Sequence, residues 1–192
     1  MRIFRKLVAA EALRLRDHLL RLSPLDRHCR FAGHVSDAVI DSYCRRIPWL
    51  GTVVVGYFED GTLRAAAECR WLGPAQLRAV EVAVTVEPEW QAKGIGTELM
   101  SRVVTIARNR GAASIFMLCL TDNRPMQAIA RKFAGDLHFV DGEVEVRIAV
   151  PFATNASLMQ EALADISGVA GVIWTSVVGE SRPALPAGSA RH

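Results

Sequence analysis

The chain has 192 residues, enough for one domain with a full hydrophobic core and a short tail. Hydrophobic residues make up 51% of it and charged residues 22%, which excludes a wholly disordered chain. The 23 Lys and Arg residues against 20 Asp and Glu residues give a net charge of only +3. This weak bias does not indicate a nucleic-acid-binding protein, which normally has a clustered basic face.

The sequence predicts neither a membrane segment nor a metal site. No apolar run reaches the roughly 18 residues of a membrane-spanning helix. Charged residues also interrupt the N-terminal stretch where a secretory signal would need an apolar run. None of the four cysteines belongs to a CxxC pair, so we interpret them as reduced thiols of a cytoplasmic protein. They are Cys29, Cys44, Cys69 and Cys119.

The first half of the chain predicts a short strand, two helices and a β-hairpin. Ser23-Pro24 ends the first helix and Pro48 the second, because a proline and the residue before it are poorly suited to continuing a helix. Asp60-Gly61 marks the hairpin turn. In chain order, the predicted elements are a strand at 2–7, helices at 9–22 and 36–46, and strands at 52–58 and 62–71.

Residues 78–120 predict a βαβ unit with two parallel strands. Its first strand, 78–86, alternates valines on one face with Ala, Glu and Thr on the other. A loop then leads into an amphipathic helix that ends near Arg110. The second strand, 113–120, is apolar almost throughout, as is typical of strands covered on both faces. By the usual handedness rule the crossover between the strands is right-handed.

A helix and a closing hairpin complete the predicted first domain. The helix follows Asn123. Two alternating stretches, 136–140 and 143–150, join through Asp141-Gly142 and form the hairpin. We therefore predict one domain at residues 1–151.

The residues after 151 differ in pattern, and we predict a C-terminal extension at 152–192. A helix is expected at 157–166. The segment 168–178 is apolar but short, and it predicts an extra strand or a docking segment. Such a segment fits a homodimer and a tail-covered sheet edge equally well, so a monomer and a homodimer both stay open.

One segment indicates specific chemistry: Gln91 to Thr97, QAKGIGT, between the valine-rich strand and the amphipathic helix. Its two glycines let a ligand approach the backbone, and free N–H groups at a helix N-terminus bind phosphate. The nucleotide motifs fit poorly, because Lys93 precedes Gly94 and Leu99 stands where a third glycine belongs. Taken alone, the segment is equally consistent with a structural turn.

Two longer phrases decide between these interpretations. VAVTVEPEWQAKGIGTELM closely resembles the acetyl-CoA motif of the GNAT superfamily of acyl-CoA N-acyltransferases, and TDNRPMQAIARKF resembles the motif that follows it. The order of elements is similar to that family over residues 2–150. The resemblance implies an α/β (α+β) GNAT fold, a mixed and mostly antiparallel sheet with a splayed central parallel pair and helices on both faces.

A third phrase, LSPLDRHCRF at residues 22–31, resembles a stretch common in bacterial GNAT domains related to protein-lysine acetyltransferases. The resemblance implies transfer of the acetyl group of acetyl-CoA to a primary amine, by direct attack in a ternary complex. A protein lysine is the preferred acceptor. A small-molecule amine and a non-catalytic acetyl-CoA-sensing module are the alternatives. No metal, nucleic acid or membrane is expected to take part.

The family motif implies that acetyl-CoA is bound mainly by the main chain. The strand segment Val84, Thr85 and Val86 would pair with the pantetheine arm. Asn123 would contact the pantetheine or a site water, or serve only as a helix cap. The Lys93 side chain would pair with a phosphate or stay in solvent. The pyrophosphate would be held by backbone N–H groups of Ala92, Lys93, Gly94, Ile95, Gly96 and Thr97.

Acetyl transfer also needs a base, because an amine such as that of lysine, with a pKa of about 10.4, is almost wholly protonated at pH 7. By strand parity Glu81 lies opposite the valine face, shortly before the expected acetyl contact. In related bacterial lysine acetyltransferases a Glu at the matching place acts as the base, often through water. Glu68 on the neighbouring strand is the second candidate. The alternative is that Glu81 is only a solvated or ion-paired residue.

One position departs from the family pattern. Many GNAT enzymes have a tyrosine seven residues after the Asn of the second motif, where it acts as a general acid. That position is Ala130 here. A thiol has a pKa of about 8.5, so its thiolate leaves without a strong acid. Ala130 therefore does not exclude catalysis and agrees with the lysine-acetyltransferase-like subgroup.

Overall fold

The computed structural model describes residues 2–73 and 78–179, which contain one seven-stranded sheet and six α-helices. The strands are β1 (Arg2–Lys6), β2 (Thr52–Glu59), β3 (Thr62–Trp71), β4 (Ala79–Val86), β5 (Ser114–Leu120), β6 (Asp136–Val140) and β7 (Glu143–Ala149). The helices are α1 (Ala12–Arg21), α2 (Pro24–Phe31), α3 (Asp37–Arg45), α4 (Ile95–Asn109), α5 (Arg124–Lys132) and α6 (Asn155–Gly179). The strand order is β1-β2-β3-β4-β5-β7-β6, and of these neighbouring pairs only β4 and β5 are parallel.

The parallel pair separates soon after it begins. Ala79–Glu81 pair with Ser114–Phe116, but β4 continues to Val86 and β5 to Leu120. On their outer sides, β4 stays paired with β3 and β5 with β7. Residues 82–86 therefore present a backbone edge that faces β5 without pairing with it.

Two hydrophobic clusters cover the two faces of the sheet, because side chains alternate along each strand. In β2, Val55 and Tyr57 belong to the larger cluster, whereas Val54 and Phe58 belong to the smaller one. The larger cluster contains the apolar stripes of α4 and α5, and the smaller one those of α1 and α3. The valines of β4 belong to the larger cluster or pack against it, as predicted, so the polar side chains of β4 face the α1 and α3 side.

The sequence predicted the seven strands and the helices α1, α3, α4 and α5 to within a few residues. Helix α2 is absent from the prediction, which treated Ser23-Pro24 only as a helix end. The Ser23 side chain accepts the Asp26 N–H at 3.1 Å and caps α2. Pro24 occupies the first position of α2, where its missing N–H costs nothing.

The described part of the C-terminal extension forms one long helix rather than a helix and a strand. Helix α6 includes the segment 168–178, so the prediction of an extra strand there is wrong. Gly168 lets α6 pack closely on β1, and α6 also contacts α4. In the described part of the chain, no helix combines the length and the apolar character needed to cross a membrane. The boundary between 1–151 and 152–192 stays a prediction.

Polar contacts join α6 to the body of the domain. Lys6 Nζ of β1 lies 2.5 Å from Glu161 Oε1 and 2.7 Å from Asp165 Oδ2. Asn109 at the end of α4 donates to Glu161 Oε2 at 2.8 Å, and the Ser157 hydroxyl donates to Asn109 at 2.6 Å. These residues fix the first half of α6 across the end of α4 and along the edge strand β1.

We expect Gly168→Ala to destabilise the protein, although alanine is favoured over glycine in an ordinary helix by about 1 kcal/mol. A Cβ atom at residue 168 would lie 2.7 Å from the Arg5 Cβ atom. Either α6 or β1 must then shift, and overpacking of this kind costs about 1–3 kcal/mol. Urea unfolding measures the effect, with Ser167→Ala at the neighbouring exposed position as control. A Gly168→Ala protein more stable than the wild type would contradict this docking of α6.

Candidate active site

A cavity of about 400 Å³ opens beside the unpaired edge of β4. Val84, Thr85 and Val86 line it on the strand side, and the first turns of α4 and α5 close it. An extended ligand in this cavity can hydrogen-bond with the free backbone groups of β4, as a peptide strand adds to a sheet edge. The splay between β4 and β5 therefore creates both the space and the hydrogen-bonding partners for an extended ligand.

The loop between β4 and α4 exposes its backbone N–H groups to the same cavity. Gly94 is the N-cap of α4 with a φ of 79°, and Ala92 has a φ of 56°, both in the left-handed region. Within the described residues, no backbone or side-chain acceptor pairs with the N–H groups from Ala92 to Thr97. These donors lie at the positive end of a 15-residue helix, which suits a phosphate group.

The two glycines of the loop have different roles. Gly94 provides the left-handed backbone, and a Cβ atom there would meet nothing within 4 Å. A Cβ atom at Gly96 would lie 3.0 Å from Ile129 Cδ1 on α5 and 3.6 Å from Val86 Cγ2 on β4. Gly96 therefore allows α4, α5 and β4 to pack closely, and a larger residue would require the Ile129 side chain to shift.

Asn123 lines this cavity, whereas Lys93 lies outside it. Asn123 lines the cavity, but its Oδ1 accepts the Met126 N–H at 3.2 Å and caps α5, as the helix-cap alternative predicts. Lys93 Nζ lies 5.8 Å from the centre of the Trp90 ring, in a neighbouring depression that Arg2 also lines. The structure describes all the residues predicted to bind acetyl-CoA. Among them, only Lys93 does not line the cavity beside β4.

A second cavity, of about 390 Å³, lies beside α3 on the other side of these strands. Both candidate bases, Glu81 and Glu68, line it. Arg30 of α2 lines both cavities and therefore stands between them. Among residues 2–73 and 78–179, no three His, Cys, Asp or Glu side chains are grouped so that they could hold a metal ion.

Glu81 forms a half-exposed ion pair. Arg70 lies directly opposite on β3, and its Nη2 atom is 2.7 Å from Glu81 Oε2. The Glu81 side chain is 40% exposed. A pair this exposed contributes little to stability, so the carboxylate can change partners at low cost.

Glu68 is instead buried in a closed hydrogen-bond network. Arg30 Nη2 donates to Glu68 Oε1 and to the Tyr43 hydroxyl, each at 2.7 Å. The Tyr43 hydroxyl donates to Glu68 Oε2 at 2.6 Å. Burial, followed by the nearby Glu68 charge, raises the pKa of Tyr43 above its ordinary value, so the phenol keeps its proton. Both Glu68 oxygens are committed to structure, which favours Glu81 as the free base.

A buried network at the end of β4 was not evident in the sequence, where His18 is an isolated histidine in an arginine-rich helix. Burial lowers the pKa of His18 from 6.5, so the ring is neutral at pH 7. Its Nδ1–H donates to Glu87 Oε1 at 3.1 Å, and its Nε2 accepts the Thr85 hydroxyl at 2.9 Å. Arg21 and Arg64 also donate to Glu87, at 2.9 and 3.0 Å. The network holds the exit of β4 from the side opposite the cavity.

Comparison with known proteins identifies the family. The sequence model of the Acetyltransferase (GNAT) family matches residues 19–135, which is more than half of the chain. The chain belongs to the GNAT acetyltransferase family. It is thus an acyl-CoA-dependent N-acetyltransferase that acts with acetyl-CoA, and the predicted GNAT fold is confirmed.

Individual relatives are distant. Acetyltransferase PA5475 of Pseudomonas aeruginosa is 29% identical over 133 residues, which cover 65% of this chain and 69% of that protein. The GNAT domain of S. lividans PAT has a TM-score of 0.66 at 20% identity, covering 76% of this chain and 89% of that chain. The structure of yncA from Salmonella typhimurium with its cofactor acetyl-CoA has a TM-score of 0.61 at 16% identity, covering 80% and 96%. These structural matches establish the fold, and the protein-lysine acetyltransferase subgroup stays a prediction.

The loop geometry predicts that the charge of residue 94, rather than its size, controls ligand binding. Asn and Asp both tolerate a left-handed backbone and have the same shape. Acetyl-CoA should raise the Tm of the wild type and of Gly94→Asn by mass action. Gly94→Asp should lose this shift, because its carboxylate faces the phosphates. Differential scanning fluorimetry with and without acetyl-CoA measures the change in Tm. An equal change in Gly94→Asn and Gly94→Asp would argue against a phosphate at this loop.

The His18 network predicts that part of the free energy of unfolding is lost at acidic pH. Below pH 6.5 the unfolded chain protonates His18 while the folded chain keeps it neutral, so stability is lost as the pH falls from 6.5 towards the lowered pKa. Hydrogen bonds from His18 and Arg64 outweigh burial and keep the Glu87 pKa below its ordinary value, so Glu87 stays charged. His18→Asn should cost about 1–3 kcal/mol at pH 7.5. Urea unfolding should show a smaller difference in unfolding free energy between this variant and the wild type at pH 5.5. An unchanged difference would contradict a buried, neutral His18 ring.

Proposed function

We propose that this chain transfers the acetyl group of acetyl-CoA directly to a primary amine in a ternary complex, with Glu81 as the base. The observation that supports this most is the position of β4. Its unpaired backbone edge borders the cavity beside β4, while its polar face presents Glu81 to the second cavity. Donor and acceptor can therefore approach the same strand from two sides.

The residues around the strand supply what the reaction needs. Backbone groups of Val84 and Val86 would pair with the pantetheine arm, and an N–H group of this strand would stabilise negative charge on the thioester oxygen. The N–H groups of the 92–97 loop would hold the pyrophosphate. Asn123 retains its Nδ2 atom for a ligand contact. Glu81, directly or through water, would remove the amine proton before attack, and CoA would leave as the thiolate.

Two acceptor classes follow from different observations. The phrase at residues 22–31, which resembles protein-lysine acetyltransferases, forms α2 and contributes Arg30 to both cavities. It supports a protein lysine. The size of the second cavity, about 390 Å³, supports a small-molecule amine. Both acceptors react through the same base and the same donor.

The Glu81→Gln variant tests the enzyme proposal. It keeps the shape of the side chain but removes the base, so kcat should fall by about 10²–10⁴-fold. The Tm shift with acetyl-CoA should persist, because Glu81 does not line that cavity. CoA release measured with a thiol reagent over a panel of amines and lysine peptides gives the rate.

Glu68→Gln is the matched comparison. It disturbs the buried network with Arg30 and Tyr43, so it should lower the Tm, whereas Glu81→Gln should not. An unchanged rate in Glu81→Gln would exclude Glu81 as the base. A wild-type protein that binds acetyl-CoA but acetylates nothing in the panel would favour the non-catalytic sensing module.

A further inference from the structure

The second cavity has an excess of positive charge next to Glu81. The charged side chains of its wall are three arginines, Arg30, Arg46 and Arg70, and two carboxylates, Glu68 and Glu81. Arg30 is neutralised by Glu68, and Arg70 by Glu81. Arg46 donates only from Nε to a backbone carbonyl at 3.2 Å and has no carboxylate partner among the described residues. One cation of the wall is therefore available for an anion.

A buried hydroxyl in the same wall also lacks a partner. Thr52 is 6% exposed and lines the cavity, yet its Oγ1 atom makes no hydrogen bond within the described residues. Arg30 Nε is likewise buried and unpaired. Buried polar atoms of this kind are rare in folded proteins and are normally satisfied by a ligand or water. They indicate that polar atoms, of a ligand or of water, fill this part of the cavity.

The remaining wall is apolar, and the ion pair next to it has a specific spacing. Phe31, Val39 and Ile47 line the side formed by α2, α3 and the segment after α3. Glu81 and Arg70 place a carboxylate and a guanidinium 2.7 Å apart. An α-amino acid has its amine and its carboxylate on one carbon, so the two groups match this adjacent pair, and its side chain can occupy the apolar wall.

We propose that the acceptor is a free α-amino acid with an apolar side chain, an inference that rests on the proposed function. Its carboxylate pairs with Arg70 and Arg46, which releases Glu81 from Arg70. Glu81 then accepts a proton from the amine. The amine nitrogen then forms a bond to the acetyl carbonyl carbon of acetyl-CoA, the carbon–sulfur bond breaks, and CoA leaves as the thiolate. The nitrogen loses its second proton as the amide forms, and this proton passes to the thiolate, whose thiol has a pKa of about 8.5.

A protein lysine fits this wall less well. Its amine has no carboxylate on the adjacent carbon, so Arg70 would remain on Glu81 and Arg46 would remain unpaired. A lysine acceptor therefore forgoes the charge-assisted hydrogen bonds that a substrate carboxylate would accept from Arg46 and Arg70. The substrate carboxylate therefore acts as the group that selects the acceptor and frees the base.

Matched acceptors show how much the carboxylate of the substrate contributes to the rate, apart from the rest of the molecule. We would measure kcat/KM for L-phenylalanine, L-leucine and L-methionine, for their amides, and for Nα-acetyl-L-lysine amide as the lysine acceptor. The amides have less basic amines, so intrinsic reactivity at pH 8 favours them. We expect kcat/KM to be at least about tenfold higher for each free amino acid than for its amide, because the amide lacks the carboxylate that pairs with the arginines.

Arg46→Gln and Arg45→Gln are a matched pair of variants. Arg45 is adjacent, but it pairs with Asp41 and does not line the cavity. Arg46→Gln should remove most of the preference for the carboxylate, and Arg45→Gln should retain it. Equal rates for amides and free amino acids, or a better rate for the lysine derivative, would overturn the inference alone. If no acceptor reacts while acetyl-CoA still raises the Tm, the proposed function fails as well.

Discussion

The early separation of β4 from β5 is the constraint on which the rest of the structure depends. Two parallel strands that pair for only three residues leave a length of backbone without partners, which a buried sheet does not normally tolerate. The unpaired edge must therefore be satisfied by something other than the chain itself. The cavity beside it, and the loop of free N–H groups at its end, show what kind of partner fits: an extended molecule that ends in phosphate.

Such an edge keeps its shape only if β4 is held firmly elsewhere. On one side β3 pairs with it along its length, and behind it His18, Thr85 and Glu87 form a buried hydrogen-bonded network. On the other side Gly96 lets α4 and α5 pack tightly against the strand. The backbone donors thus stay in a fixed arrangement, which is how preorganised sites stabilise developing charge.

Helix α2 connects the two halves of the site. Its Arg30 borders the cavity beside β4 and the second cavity, and it neutralises Glu68 between them. Glu81 is then the carboxylate with freedom to change partners, because its pair with Arg70 is half-exposed. Burial, rather than the type of residue, distinguishes the structural glutamate from the candidate base.

The sequence by itself determined most elements and the position of the loop 92–97, because alternation, capping and glycine placement are local properties. Its resemblance to the GNAT motifs, rather than those local patterns, implied the fold. It left α2 unpredicted and offered an extra strand or a docking segment for 168–178, where the structure has part of helix α6. It named both Glu68 and Glu81 without separating their environments. Only the tertiary structure decided that Arg30 and Tyr43 enclose Glu68 and that Arg70 lies opposite Glu81. It also placed Arg46 and Thr52 in the cavity that both glutamates line. These contacts join residues far apart in the chain, so local patterns do not reveal them.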